Sequence, residues 1–180
     1  GIYSLEASGS YVFAGTIWSG VYRSTNLGAS WSSTSLDYQE VRSLEVDGTV
    51  VYAGTVYEGV YKSLDNGNTW MSTDMWDKSA SALLSTNSNL YAGTWDWGVY
   101  ITKDEGDTWE QTNLNNHDIR SFIQSGSLLF AGSSLNGIYM SGDNGQTWSH
   151  HAIDNIGVLS FTEHNSILFA GSYGSGVYKS

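Results

Sequence analysis

Trp95, Asp96 and Trp97 place one carboxylate between two indole rings, and this triplet is the part of the sequence best suited to chemistry. Indole rings stack on the apolar face of a sugar, and a carboxylate accepts hydrogen bonds from its hydroxyl groups. An apolar setting can also raise the pKa of a carboxyl group, as a general acid requires. The triplet therefore indicates either recognition or acid–base catalysis, and its place in the fold must decide between them.

A repeat of 39 residues sets the position of this triplet. The pair Ala-Gly recurs five times at that step, at Ala14-Gly15, Ala53-Gly54, Ala92-Gly93, Ala131-Gly132 and Ala170-Gly171. A fixed spacing means that one structural unit recurs, and that unit fixes the fold class. We expect a single domain, residues 1–180, with repeats at about residues 2–40, 41–79, 80–118, 119–157 and 158–180.

Each repeat reads as four short strands. In the second repeat these are residues 41–46, 50–55, 60–63 and 69–72, with Asp47-Gly48 as a tight turn after the first. Four strands in roughly 40 residues are typical of one blade of a β-propeller. The sequence predicts an all-β fold, a five-bladed β-propeller of 39-residue four-stranded repeats whose last blade lacks its outer strand.

Three repeated positions have physical roles in this fold. The Ala-Gly pair leaves room for a neighbouring sheet, and the aromatic residue before it fills the gap between blades. A glycine opening the third strand of each repeat indicates a turn with positive φ. The aromatic residues are Phe13, Tyr52, Tyr91, Phe130 and Phe169. The glycines are Gly20, Gly59, Gly98, Gly137 and Gly176.

A second motif, Ser-x-Asp-x-Gly-x-Thr-Trp, follows the third strand. Residues 63–70 and 141–148 match it fully, and residues 102–109 match it with Thr in place of Ser. Residues 24–31 are a degenerate copy, with Asn26 for Asp and Ser30 for Thr. This motif resembles the Asp-box, or BNR repeat, of sialidases, xyloglucan hydrolases, sortilin-like receptors and photosystem assembly factors.

The resemblance implies a structural role for the box, as the turn between the third and fourth strands. The Asp side chain would cap backbone N–H groups, the Gly would take a left-handed conformation and the Trp would pack into the blade. The residues assigned this role are Asp65, Gly67, Trp70, Asp104, Gly106, Trp109, Asp143, Gly145 and Trp148.

Composition excludes several classes of partner. The formal net charge of −11 argues against nucleic acid and against anionic membrane surfaces, and no apolar run reaches the roughly 18 residues of a membrane-spanning helix. The chain has no Cys, and its four His residues lack ligand spacing, so we predict no metal site and no cofactor. Whether the acidic residues bind calcium stays open.

The non-repeating aromatic residues share one face. Loops after strands two and four should lie opposite the boxes, and the predicted ligand-binding residues all fall in these loops. They are Trp18, Tyr38, Tyr57, Trp76, Trp95, Asp96, Trp97 and Tyr173. Acids gather there too, with Lys78 as the only nearby positive charge: Asp37, Glu40, Glu58, Asp74, Asp77, Asp96, Asp118 and Asp154. These side chains either bind a ligand or fold over and seal the rim.

Catalysis is the weaker interpretation, and no catalytic residue is predicted. A sialidase-like site needs an arginine cluster, and the chain has Arg23, Arg42 and Arg120. The last two hold equivalent first-strand positions and could point toward the axis or flank it. A glycosidase needs a carboxylate pair about 5–5.5 or 6.5–9.5 Å apart, with Asp96 as the best candidate acid. Short loops and near-uniform repeats favour a protein without catalysis.

The last blade would end in an exposed edge, residues 176–180. That edge could stand as a three-stranded sheet, or another chain could supply the fourth strand. We expect a non-catalytic β-propeller, secreted or at the cell surface, that binds a glycan or a protein through its aromatic and acidic face. The alternatives are a structural subunit that oligomerises through this edge and a glycoside hydrolase with paired carboxylates.

Overall fold

Five antiparallel sheets follow one another along the chain in the computed structural model, which describes residues 1–86 and 89–180. The first sheet contains β1 (Ile2–Ser8), β2 (Tyr11–Thr16), β3 (Val21–Ser24) and β4 (Ser32–Ser33). The second contains β5 (Val41–Asp47), β6 (Val50–Thr55), β7 (Val60–Ser63) and β8 (Met71–Ser72). The third contains β9 (Ala80–Ser85), β10 (Leu90–Thr94), β11 (Gly98–Thr102) and β12 (Glu110–Gln111).

The last two sheets differ in strand number. The fourth contains β13 (Ile119–Ser125), β14 (Leu128–Ser133), β15 (Ile138–Ser141) and β16 (Ser149–Ala152). The fifth has three strands, β17 (Val158–His164), β18 (Ile167–Ser172) and β19 (Gly176–Lys179). Each sheet is a meander in which consecutive strands pair. None of the described residues forms a helix that could cross a membrane.

Three of the four strands predicted in the second repeat agree with the structure to within one residue. The fourth is shorter than predicted, because Thr69 and Trp70 belong to the turn. The Thr69 amide donates to Asp65 Oδ1 at 2.8 Å, and the Trp70 amide donates to Ser35 Oγ at 3.0 Å. Both amides are thus held by side chains, and strand pairing begins at Met71.

Neighbouring sheets pack through the repeated Ala-Gly position. A Cβ added to Gly15 would lie 2.7 Å from Val41 Cγ1, so only glycine lets the second sheet approach this closely. The aromatic residue two positions earlier, Phe13, is fully buried in the same interface. The five glycines that open the third strands all have positive φ, between 66° and 85°. The predicted roles of these positions are confirmed at the interfaces inside the row.

The sheets form a row in which the first and the last have one neighbour each. Contacts of first strands run in the order β1, β5, β9, β13 and β17, and within residues 1–86 and 89–180 no comparable contact joins β17 to β1. Ile2, Leu5 and Val177 are 56%, 63% and 72% exposed. Their equivalents inside the row, Val41, Leu44 and Val60, are 0%, 6% and 0% exposed. One apolar face at each end of the row therefore lies open.

Candidate ligand-recognition face

The box turns anchor one side of each complete sheet. Asp65 Oδ1 accepts hydrogen bonds from the amides of Asn68 and Thr69 at 3.1 and 2.8 Å, and Asp65 Oδ2 accepts from Thr69 Oγ1 at 2.8 Å. Gly67 sits in the turn with φ of 74° and donates its amide to Ser63 Oγ at 2.9 Å. These side chains satisfy the backbone of the turn, as predicted for a structural motif.

The hydrogen bond from the backbone amide four residues later recurs in the other turns, including the degenerate one. Asp104 and Asp143 each accept from the amide four residues later at 2.9 Å. Asn26 replaces the carboxylate in the first sheet, and its Oδ1 accepts from the Ser30 amide at 2.9 Å. The amide oxygen of Asn26 therefore accepts the backbone bond that a carboxylate accepts in the other turns, and its Nδ2 donates to Ser30 Oγ at 2.9 Å.

Hydrogen bonding to the ionised form lowers the pKa of the three box carboxyl groups. The Thr108 hydroxyl lowers the pKa of Asp104 to about 2, and the Thr147 hydroxyl lowers that of Asp143 to about 2. The amide of Thr69 lowers the pKa of Asp65 still further below its ordinary value. These carboxylates act as fixed acceptors, since each has its oxygen atoms engaged by its own turn.

The opposite side of the sheets is formed by the loops after the second and fourth strands, hereafter the loop face. It comprises residues 17–20, 34–40, 56–59, 73–79, 95–97, 112–118, 134–137, 153–157 and 173–175. Backbone hydrogen bonds join these loops across sheet boundaries, from Val56 N to Glu40 O at 3.0 Å and from Ser134 N to Asp118 O at 2.8 Å. These hydrogen bonds show that the loops after second strands and the loops after fourth strands lie on one surface. This is the arrangement predicted from the order of the strands.

Most of the predicted ligand-binding side chains on the loop face are exposed. Six aromatic residues are between 50% and 86% exposed, namely Trp18, Tyr38, Tyr57, Trp76, Trp97 and Tyr173. Asp96 is also exposed, and Trp95 is half-buried. The exposed rings do not fold over to seal the rim of the sheets, which was the competing interpretation. That they bind a ligand stays a prediction.

Two of these tyrosines occupy a strained backbone conformation. Tyr38 and Tyr57 have φ of 55° and 72°, in the left-handed region that side chains with a Cβ disfavour. Tyr38 stands at the position of Asn116 in the fourth connection, and Tyr57 at the position of Gly174 in the last sheet. Asn and Gly adopt this conformation more easily than Tyr.

Trp95 is the centre of a charged cluster that was not predicted from the sequence. The guanidinium carbons of Arg42 and Arg120 lie 5.4 and 4.9 Å from its ring centroid. Arg42 also lies 3.9 Å from the ring centroid of Tyr3. The expectation that Lys78 is the only positive charge near the acids of this face is therefore wrong. Arginines from β5 and β13 reach it because both occupy the second position of a first strand.

Each arginine of this cluster has its own carboxylate partner. Arg42 pairs with Glu40 at 2.5 Å, and Arg120 pairs with Asp118 at 2.5 Å. Four polar atoms there are buried without a hydrogen-bond partner among the described residues: Glu40 Oε1, Arg42 Nε, Trp95 Nε1 and Asp118 Oδ1. Unpaired buried polar atoms are uncommon in folded proteins. The cluster can thus accept further hydrogen bonds at Asp118 and donate them from Trp95 and Arg42.

The rest of the triplet faces solvent. The Lys78 ammonium lies 5.1 Å from the ring centroid of Trp97 and pairs with Asp77. Gln111 Nε2 donates to the Trp97 carbonyl at 2.6 Å, which holds the loop in place. Asp96 makes no hydrogen bond or ion pair with any other described side chain. No group of three or more His, Asp or Glu side chains in residues 1–86 and 89–180 could hold a metal ion.

A cavity of about 260 Å³ lies beside the edge strand β19. Its lining includes Phe130, Ile138, Ile153, Leu168 and Ala170. One repeat earlier, the equivalent residues surround the indole of Trp148, which is 6% exposed: Tyr91, Val99, Leu114, Leu129 and Ala131. The cavity between the fourth and fifth sheets is therefore lined by residues equivalent to those that pack around Trp148.

Comparison with known proteins shows the fold. No family model and no curated protein matches the chain. An ancestral GH74 enzyme is 18% identical over 95% of this chain and 27% of its own, with a TM-score of 0.77. The extracellular domain of a B. thetaiotaomicron one-component system is 17% identical over 99% and 27%, with a TM-score of 0.80. YCF48 bound to a D1 peptide is 16% identical over 99% and 63%, with a TM-score of 0.71.

These neighbours are β-propeller proteins, and the sheets of this chain have the arrangement of propeller blades. The chain spans about a quarter of the length of the first two neighbours and less than two thirds of the third. At these identities the likeness shows the fold alone.

Proposed function

We propose that this chain is a non-catalytic, extracellular Asp-box β-propeller that binds a carbohydrate through the loop face. The observation that carries the proposal is the exposure of the predicted rings, from 50% at Trp97 to 86% at Tyr38. Exposed aromatic side chains in such number are unfavourable in water unless a partner covers them. Flat rings beside carboxylates suit sugar rings, which combine an apolar face with hydroxyl groups.

The strained tyrosines support the same proposal. A left-handed backbone at Tyr38 and Tyr57 lowers the stability of the fold, and Asn or Gly occupies the same positions in other repeats. Such strain is retained where the side chain has another use. Two structural neighbours agree with an extracellular ligand-binding role, since one is an extracellular domain and another was solved with a bound peptide. A protein ligand is therefore the second class to test.

A glycan array followed by calorimetry tests the proposal. We expect Trp97→Ala to weaken binding of the selected glycan about tenfold, which corresponds to about 1.4 kcal/mol of lost stacking. Leu64→Ala is the matched control, because Leu64 is exposed on the box side and should leave affinity unchanged. Absence of any glycan signal, together with capture of a protein by the loop face, would move the assignment to a protein ligand.

The absence of catalysis is part of the proposal. Asp96 is exposed, and its loop is three residues long between β10 and β11, so nothing there encloses a scissile bond. Polysaccharide hydrolysis that the Asp96→Asn variant abolishes would make the chain a glycoside hydrolase instead. Binding without turnover in both proteins is the expected result.

A second candidate function, strand complementation at β19, is favoured by the cavity between the fourth and fifth sheets. The free edge of β19 can pair with an added strand, and the 260 Å³ cavity beside it can hold an indole. A peptide copying residues 141–152 supplies both parts, since it contains Trp148 and the strand β16. We expect this peptide to bind and its Trp148→Ala form not to bind. Equal binding of the two peptides would exclude the cavity as the recognition element.

A further inference from the structure

A cavity of about 300 Å³ lies on the loop face where the second and third sheets meet. Three aromatic rings, two carboxylates and one ammonium group line it: Trp76, Tyr100, Trp109, Asp74, Asp77 and Lys78. This lining belongs to the third sheet and to the loop that joins it to the second. Ligand pockets of this size are at the small end of the usual range, which suits a single ring.

Asp74 lacks the hydrogen bond that its equivalents make to the following sheet. Ser35 and Asn113 hold the same position in other repeats, and each accepts a hydrogen bond from the amide of a box tryptophan. The distances are 3.0 Å from the Trp70 amide and 2.7 Å from the Trp148 amide. The Asp74 carboxylate is exposed and accepts no hydrogen bond from any described residue. It can therefore accept hydrogen bonds from a ligand.

Lys78 also differs from its equivalent in the next repeat. His117 holds that position, and its Nε2 lies 2.7 Å from the hydroxyl group of Tyr139, which joins the loop to the fourth sheet. The Lys78 ammonium group instead pairs with Asp77 and lies 5.1 Å from the ring centroid of Trp97. The space between the loop and the third sheet therefore stays open as the cavity.

The contacts of the Lys78 ammonium group show which chemistry this part of the loop face accepts. An indole face attracts a cation, and a carboxylate adds a charge-assisted hydrogen bond. Asp74 and Trp76 offer the same pair of partners beside it, and the Trp76 ring is 67% exposed. A second ammonium group would thus find an acceptor and an aromatic face in the cavity.

The charge of the loop face also favours a cationic ligand. Eight acidic residues lie on this face, and the basic residues that reach it are Arg42, Arg120 and Lys78. Each of the three already has a carboxylate partner. The chain as a whole has a formal net charge of −11. Such a surface attracts cations and repels acidic sugars.

We infer that this cavity binds a sugar ring that carries a protonated amino group, as in a glycan of 2-amino-2-deoxy sugars. The inference rests on the proposed carbohydrate binding and names the class of sugar. The apolar face of the ring packs on Trp76, and the ammonium group donates hydrogen bonds to Asp74. Acetylation of the amino group removes its charge and with it the main attraction to the carboxylate.

Calorimetry with two oligosaccharides of equal length tests the inference. The probes are the β-1,4-linked hexamer of glucosamine and its N-acetylated form, at a pH of about 5.5, where amines are protonated and carboxylates are ionised. We expect wild-type protein to bind the glucosamine hexamer at least about tenfold more tightly. Raising the salt from about 0.05 M to about 0.5 M should reduce this preference, because salt screens exposed charges.

The Asp74→Asn variant tests the carboxylate directly. Asn113 stands at the equivalent position in the next repeat, so we expect the variant to fold and to keep the circular dichroism spectrum of the wild type. Its affinity for the glucosamine hexamer should fall about tenfold, while its affinity for the N-acetylated hexamer stays unchanged. Asp47→Asn is the matched control, because it removes the same charge from an exposed turn on the box side and should leave both affinities unchanged.

The Trp76→Ala variant tests the aromatic face. Both hexamers present a sugar ring to this indole, so we expect the variant to bind both more weakly and to keep the preference for the charged one. A hexamer of lysine carries the same number of side-chain ammonium groups without the rings, and it should bind more weakly than the glucosamine hexamer.

Three results would overturn the inference and leave carbohydrate binding in place. They are equal affinity for the two hexamers, an equal loss in the Asp47→Asn and Asp74→Asn variants, and binding of other glycans but of neither hexamer. Hexalysine that binds as tightly as the glucosamine hexamer would show a general attraction for cations and would exclude the sugar as the recognised group. Failure of every glycan on the array would remove the proposed function as well.

Discussion

The two sides of the sheets use their side chains differently. On the box side, Asp65, Asp104 and Asp143 make the same hydrogen bonds in three successive turns, and each has a lowered pKa. On the loop face, the equivalent positions in successive loops hold unrelated residues, such as Trp18, Tyr57 and Asp96. On the box side the turn geometry therefore determines the residue type, whereas on the loop face the fold permits different residue types at equivalent positions.

The backbone takes the left-handed conformation on both sides of the sheets. Positive φ on the box side is taken by glycine or asparagine in the two complete motifs, at Gly67, Gly145, Asn66 and Asn144. On the loop face, positive φ is taken by Tyr38 and Tyr57, for which it is unfavourable. In the two incomplete motifs of the box side, the same conformation is taken by Leu27 and Glu105, with φ of 58° and 57°.

The largest effect is expected at a box glycine. Gly67→Ala would strain a φ of 74° and place a Cβ 2.5 Å from Phe13, and we expect a loss of about 3 kcal/mol in the free energy of unfolding. Gly174→Ala on the loop face has a φ of 78° and open space, so only about 1 kcal/mol is expected. Urea unfolding of both variants measures the difference, and equal losses would contradict the comparison.

The next effect is expected at a box carboxylate. Asp65→Ala removes the acceptor for two backbone amides and two hydroxyl groups, and we expect a loss of about 1–2 kcal/mol. Asp65→Asn is the matched control, because Asn26 supports the same turn in the first sheet. Thermal unfolding of both variants checks this, and an Asn variant as unstable as the Ala variant would show that the charge itself is needed.

A smaller effect of opposite sign is expected on the loop face. Tyr57→Gly relieves a left-handed tyrosine that is 72% exposed, so we expect stability to rise by about 1 kcal/mol. Ligand affinity should fall in the same variant if the ring contacts the ligand. Unfolding and binding measured on one preparation test both parts. A variant with lower stability would show that the ring supports the fold.

The smallest effect is expected in the pH dependence of the free energy of unfolding. Since the folded-state pKa of Asp104 and Asp143 is about 2, below the unfolded value of about 3.9, their stabilisation is present above pH about 4 and declines as the pH falls toward 2. Changing all three box aspartates to Asn should flatten stability over this range. Asn26→Asp should steepen it by adding a fourth titrating turn. An acid titration followed by circular dichroism tells these outcomes apart.

Much of the fold could be predicted from the sequence because the repeat is strict. The Ala-Gly spacing located every second strand, and the box located the turn before every fourth strand. The relation between the first and fifth sheets could not be predicted. It depends on the angle between neighbours, and small rotations set by side-chain volumes add up along the row. The spacing of the repeats gives the number of sheets, but it does not give the angle between neighbouring sheets.

The candidate site was predicted in part for a related reason. Sorting the loops by strand order placed Trp95 and Trp97 on the correct face, because that step needs only topology. The contacts of Arg42 and Arg120 with Trp95 connect the second, third and fourth sheets, and local sequence does not show such distances. Arg42 and Arg120 each occupy the second position of a first strand, and this equivalence was the feature of the sequence that could have indicated the cluster.

The arrangement of the sheets in a row also has a kinetic consequence. Among residues 1–86 and 89–180, the main contacts between sheets join sheets that are consecutive in the chain, so cooperativity extends along one dimension, as in a solenoid, and opening can begin at either end. Amide hydrogen exchange should therefore be slowest in β9–β11 and faster toward β1–β2 and β17–β19. The molecule would lose structure progressively from its ends, with the middle sheet exchanging only on global unfolding.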